Sequence, residues 1–267
     1  MHIEAIGFSA TAAATTGTAA TALTGDSLTI KNARQGSDVF IIGHWGDNQA
    51  AGYHQISWPT GHDTTRGYRV RLAASEPRNL VPAGLRHRVQ PQDVVSAVIA
   101  GAATGGDVDT GVLLLWYADL PGTQAKLLTF AEVKERVEKL TTIDCSITTT
   151  AGPGWTGSEA INAESDLLMN NRDYALLGLV ASVECAAVGV KAPDWGNVRV
   201  AVPGHDLDAG MTASFFLRLS EASGLPTVPV FNAGNRANVL IDACQDENAA
   251  AVTVSLCLAL LRQDGGA

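Results

Sequence analysis

The order of strand-like segments in the first half of this chain recurs in the second, and that recurrence limits the fold more than any other feature. Asp38 to Gly43, DVFIIG, matches Ala175 to Val180, ALLGLV; Gly67 to Leu72, GYRVRL, matches Asn197 to Val202, NVRVAV. Ser27 to Asn32, SLTIKN, likewise matches Asp166 to Asn171, DLLMNN, and Val81-Pro82 is echoed by Val228-Pro229. Thr142 to Thr149, TIDCSITT, answers the alternating stretch that opens the chain at Ile3. Each half closes on a pair of apolar runs, Val94 to Ile99 with Val112 to Tyr117, then Val239 to Ala243 with Ala251 to Leu258. Both pairs are joined by turn-rich connections and predict hairpins. A shared order with unequal loops is what a tandem duplication leaves.

One segment between the halves predicts helix. In Thr129 to Leu140, TFAEVKERVEKL, Thr129 and Glu132 form a capping box, and Phe130, Val133, Val137 and Leu140 recur at helical spacing. Glu132 with Arg136 and Glu135 with Lys139 are i,i+4 pairs in the favourable order.

Elsewhere the chain predicts strands. Only 17% of its residues are charged and 27 are glycine, which suits packed strands joined by small turns. The expected fold class is all-β: a first jelly-roll or sandwich unit over residues 1–122, a linker with a short helix over 123–140, and a second unit over 141–267. Too few helices are present for the crossovers of a parallel sheet.

The formal net charge of −9, with no cluster of Lys or Arg, lacks the electrostatic footprint of a nucleic-acid binder. The first residues have no basic segment ahead of an apolar one, and the apolar run from Ala175 to Val190 is interrupted by Glu184, so a chain made in the cytoplasm is expected. Cys145, Cys185, Cys244 and Cys257 show no metal-like spacing; Cys185 and Cys257 sit in apolar runs as small hydrophobes.

The densest reactive cluster is His44, Asp47, His54, His62 and Asp63, in what reads as a long connection. Two or three imidazoles with a carboxylate suit zinc or a non-haem metal, yet no spacing puts two of the histidines on one strand or helix face. Asp107 with Asp109, and Asp206 with Asp208, sit in D-x-D-x-G runs that offer carboxylates to calcium but lack the later Glu of an EF-hand. Turn chemistry accounts for them equally. No nucleophile elbow or phosphate loop follows a strand, so neither catalysis nor a cofactor is expected. Trp45, Trp58, Trp155 and Trp195 all fall in predicted connections, where aromatic side chains serve either subunit interfaces or the folding-back of their own loops.

Two tandem jelly-roll-like units with a helix between them, acidic character and aromatic loops resemble the double jelly-roll major capsid proteins of tailless icosahedral bacteriophages and viruses. The resemblance is architectural, covers the whole chain and rests on no signature motif. It implies a homotrimer of pseudo-hexagonal outline that tiles a shell, contacts to other virion proteins such as pentons or spikes, often an internal lipid membrane, and a place in the virion. Two other readings stand beside it. One is a lectin-like sandwich using Trp58, Trp155 or Trp195 as sugar platforms with calcium at the D-x-D turns. The other is a cupin-like metal enzyme at His44, His54 and His62.

Overall fold

A computed structural model describes every residue except 12, 14–15, 32–35, 62–66, 75–78, 83, 120–124, 157, 162–163, 184, 205–208, 246–248 and 264–267. The first half contains β1 (His2–Thr11), β2 (Thr18–Ala19), β3 (Thr21–Ala22), β4 (Val39–Asp47), β5 (Gly52–Ser57), β6 (Tyr68–Leu72), β7 (His87–Val89), β8 (Ser96–Ala100) and β9 (Val108–Tyr117). They form two antiparallel sheets, ordered β3-β1-β9-β4-β7 and β2-β8-β5-β6. After β10 (Leu127–Leu128) and α1 (Phe130–Arg136) come β11 (Val137–Thr148), β12 (Gly154–Trp155), β13 (Glu159–Ala160), β14 (Asp173–Ala181), β15 (Ala187–Lys191) and β16 (Val200–Pro203). Helices α2 (Ala209–Thr212) and α3 (Phe215–Ser223) precede β17 (Val228–Asn232), β18 (Leu240–Gln245) and β19 (Ala251–Leu261). Their sheets run β10-β17-β14-β19-β11 and β12-β18-β15-β16, with β13 also on β18.

The two halves therefore share one topology. The order β1-β9-β4-β7 recurs as β11-β19-β14-β17, and β2-β8-β5-β6 as β12-β18-β15-β16. This is an all-β, sandwich-like fold in which each half pairs strands from distant parts of its sequence, as a jelly roll does. Even the irregularities correspond. The register of β4 slips between Ile41 and Gly43, and that of β14 between Leu176 and Gly178, so Gly43 and Gly178 are equivalent and the match of DVFIIG to ALLGLV shifts by two residues. At Gly178 a Cβ would lie 1.9 Å from the carbonyl oxygen of Thr212, so α2 can cross this strand only over a glycine.

The predicted hairpins do not form. β8 pairs with β2 and β5 while β9 pairs with β1 and β4; β18 and β19 likewise lie in different sheets. The turn-rich connections carry the chain from one layer to the other, because a strand with one apolar face buries it against the opposite sheet. The segments SLTIKN and DLLMNN are not strands either: the first makes a single bridge, Thr29 to Val94, and the second begins with a 3-10 turn at Ser165–Leu167. Conversely, β5 runs through the predicted long connection, and every residue from His54 to Trp58 is buried.

Residues 125–140, the described part of the expected linker, are built into the second half. β10 adds to β17, and α1 closes its capping box, with the Thr129 hydroxyl accepting from Glu132 N at 3.3 Å and Glu132 Oε2 accepting from Thr129 N at 2.7 Å. The helix then stops at Arg136, because Val137 joins the ladder with β19. Of the predicted stripe only Val133 is buried in the helix, and Leu140 is 67% exposed on the strand that follows. Eleven residue pairs align β11 with β19, and the β-branched Val137, Thr141, Thr142 and Ile143 suit that ladder better than another helical turn.

Inside the second sandwich, Leu256 lies opposite Ile143 on one side and Leu179 on the other, and all three are fully buried. Leu256→Ala should lower stability by about 3 kcal/mol in urea unfolding, through lost contacts and a residual cavity. Thr129→Ala, at an exposed cap, should cost about 1 kcal/mol in the same measurement.

Candidate functional site

The first sheet is buried on both faces. Along β1 and β9, the side chains of Ile6, Phe8, Leu113, Leu115 and Tyr117 fill the first sandwich. Those between them, Ile3, Ala5, Val112, Leu114 and Trp116, join the core of the second half. Each of these five is at most 6% exposed. The β1 side of this face meets β16 of the sheet β12-β18-β15-β16, where Ala187, Ala201 and Asp242 point away from the inward Val188, Val190, Val200 and Val202 and are nonetheless fully buried. Trp45 meets the edge of Phe215 at 5.8 Å, and Trp116 Nε1 donates to the Pro226 carbonyl at 3.2 Å.

A polar network centred on Arg199 crosses this face. Its Nε donates to Asp242 Oδ2 at 2.7 Å and its Nη1 pairs with Asp26 Oδ1 at 3.1 Å. Its guanidinium lies 4.0 Å over the Trp155 ring, and its carbonyl accepts from Ala5 N at 2.7 Å. Asp26 Oδ2 accepts from Gly7 N at 2.6 Å and from Trp155 Nε1 at 2.9 Å. The buried Asp242 is further matched by Lys191 Nζ at 2.8 Å and the Ser158 hydroxyl at 2.5 Å. Every charge is paired, so the network holds the two sandwiches in one register. None of these residues stands out in the sequence as reactive. Their signal was the matched pair GYRVRL and NVRVAV, which places Arg69 and Arg199 at one position.

The predicted metal residues scatter. His44 on β4 and His54 on β5 do come together, with ring centroids 5.5 Å apart, but inside the first sandwich and sealed by Phe8. His54 Nε2 lies 2.6 Å from Asn48 Oδ1, while neither ring nitrogen of His44 meets a hydrogen-bond partner. Burial pushes His54 down to about 3; it holds His44 well below the usual imidazole value, helped by His54 and His87. Both rings are neutral at physiological pH. His62, Asp63, Asp206 and Asp208 lie outside the described residues, as does Glu184, and Asp47 ends β4 opposite Thr110. Asp107 accepts from Thr104 N at 2.6 Å in a tight turn, and Asp109 is buried on β9 with Oδ1 accepting from Gln49 N. Among the described residues, no group of three or more His, Cys, Asp or Glu side chains is placed to hold a metal ion.

The tryptophans are committed within the chain. Trp45, Trp58 and Trp195 are buried, and Trp155 carries Arg199 on its ring, so none offers the open platform a sugar needs. All four cysteines are free, and burial, then Glu164 and Asp144, raises Cys145 to about 11, which keeps it an inert thiol. Among the described residues, no helix is long and apolar enough to cross a membrane.

Neither a protein-family model nor a curated protein matches the chain. Among solved structures, it is similar to the exported protein XepA of PBSX at 11% identity and a TM-score of 0.28, covering 97% of this chain and 86% of that one. It is also a weak structural neighbour of the major capsid protein P2 of bacteriophage PM2, at 8% identity and a TM-score of 0.20, covering 99% and 100%.

Two outcomes follow from the site. His44 and His54 are neutral when folded and titrate near 6.5 when unfolded, so their contribution is complete above pH 6.5 and is lost as pH falls below it. By pH 5 His54 should have cost about 2 kcal/mol, and His54→Gln should remove that share of the slope in a pH series of urea titrations. Arg199→Leu should cost about 3–5 kcal/mol by thermal or chemical unfolding, because Asp26 and Asp242 lose their shared cation in a buried setting.

Proposed function

We propose that this protein is a structural subunit of a virion shell, acting by self-association rather than by catalysis, with three copies forming a capsomer of pseudo-hexagonal outline. The observation that carries this reading is the head-to-tail stacking of two topologically equivalent sandwiches. The β1 side of the first sheet in one meets β16 of the β12-β18-β15-β16 sheet in the other, through Ala5 and Asp26 with Arg199. Such a contact is heterologous: the two surfaces differ, and each sandwich owns one of each.

A single chain satisfies this contact once. It leaves over the outer face of β2-β8-β5-β6 and the β11 side of the third sheet, the two surfaces that correspond to the ones already joined. Heterologous contacts repeated between chains close into rings or extend as filaments. Three chains would place six similar walls around one axis, which is the outline that tiles a hexagonal lattice from one gene product. Packed sandwiches with their reactive groups sealed inside suit a building element.

Light scattering on the purified, concentrated protein should give a trimer mass, and negative-stain images should show hexagonal outlines or arrays. A monomer at the highest soluble concentration overturns the proposal.

A further inference from the structure

We infer that Arg69 of one copy pairs with Glu164 of a second copy, repeating between chains the contact that Arg199 and Asp26 make within one; this rests on the self-association proposed above.

The inference comes from comparing the halves position by position. In the first half, Asp26, which follows β3, reaches back to cap Gly7 N on β1 at 2.6 Å; in the second, Glu164, which follows β13, reaches back to cap Asp144 N on β11 at 2.8 Å. The matched slips fix the correspondence: Gly43 faces Leu114 as Gly178 faces Cys257, so Gly7, opposite Val112, answers to Asp144, opposite Ser255, and Ile3, opposite Trp116, answers to Leu140, opposite Ala259. Glu164 is thus the counterpart of Asp26. On the opposite surface, Arg69 holds on β6 the place of Arg199 at the start of β16. Arg199 donates Nε to Asp242 on its own sheet and lies 4.0 Å over Trp155; Arg69 donates Nε to Gln55 on its own sheet at 2.8 Å and lies 4.2 Å over Tyr53. Both guanidiniums thus lie over an aromatic ring and donate Nε within their own sheet, Arg69 to the neutral Gln55 and Arg199 to the carboxylate of Asp242; Arg199 continues to Asp26, whereas among the described residues no carboxylate pairs with Arg69.

The surroundings of Glu164 are those of an interface with its second half missing. Ile3, 1% exposed, is covered by the other sandwich; its counterpart Leu140 is 67% exposed. Ala5 N donates to the Arg199 carbonyl, and its counterpart Thr142 lies on β11, which ends its sheet among the described residues. Asp144 N is turned off that edge toward Glu164, and N–H groups two residues apart on a strand point the same way. Thr142 N therefore faces the open edge, where the Arg69 carbonyl of a second copy would receive it. The charges are complementary, with exposed Arg69 and Arg71 on one surface and exposed Asp144 beside Glu164 on the other.

Sedimentation or light scattering across a concentration series tests this with Arg69→Glu, Glu164→Gln and the exchanged R69E/E164R. Gln keeps an acceptor for Asp144 N, and circular dichroism with a melting curve checks that each variant folds. Each single change should weaken self-association about tenfold or more, and the exchange should restore at least part of it. Wild-type association that neither single change weakens removes the Arg69–Glu164 pair and leaves the assembly reading standing. A wild-type protein that never associates removes both.

Discussion

The burial of one sheet on both faces is the constraint from which the rest of this architecture follows. A sheet in a sandwich ordinarily shows alternate residues to water, yet Ile3, Ala5, Val112, Leu114 and Trp116 leave water entirely. At about 1.5–3 kcal/mol for each large side chain, their burial outweighs the net contribution of the Arg199 network. Apolar area thus drives the two sandwiches together. The ion pairs, with three partners converging on Asp242 and three donors on Asp26, decide the register in which they stop.

That division of labour shows in what the two topologically equivalent halves share and where they differ. The ladders, the slipped registers beside Gly43 and Gly178, and the carboxylates that cap Gly7 N on β1 and Asp144 N on β11 are found in both halves, and each satisfies backbone polar groups. Interior side chains are freer. The inward position after the shared Gly holds His44 in the first half and Leu179 in the second. An apolar surround accepts either, at the cost of an imidazole that must stay uncharged. Helices α2 and α3 enter between β16 and β17, where the sandwich ends and length changes leave the ladders untouched.

The open edge of β11 shows the same logic at the surface. A long strand with one unpaired side invites other strands, and a single exposed chain would be expected to blunt it. Glu138, Lys139 and Asp144 supply charge, and Glu164 occupies one backbone N–H, but Leu140 stays in water in the isolated chain. A surface that is partly guarded and partly apolar fits one specific partner rather than indiscriminate pairing.

Sequence periodicity by itself determined the all-β class of this protein and the recurrence of one strand order in its two halves. GYRVRL is β6 to the residue apart from its leading Gly, DVFIIG and ALLGLV lie in β4 and β14, and the capping box starts α1 where Thr129 and Glu132 place it. These are local signals: alternation, a cap, a shared Gly. Only the tertiary structure decided which strands pair, why the helix gives way at Val137, and where the reactive residues go. Alternation states that a strand has two faces but not which sheet receives it, so adjacent runs read as hairpins while the chain crosses between layers. His54, Ile56 and Trp58 alternate as a strand should, yet Gly, Trp and His nearby imitate a loop, and the ring of His44 comes beside His54 only when two sheets close over them. The partnership of Arg199 with Asp26 joins residues far apart in the chain, and no local pattern encodes a contact made by stacking one finished sandwich on another.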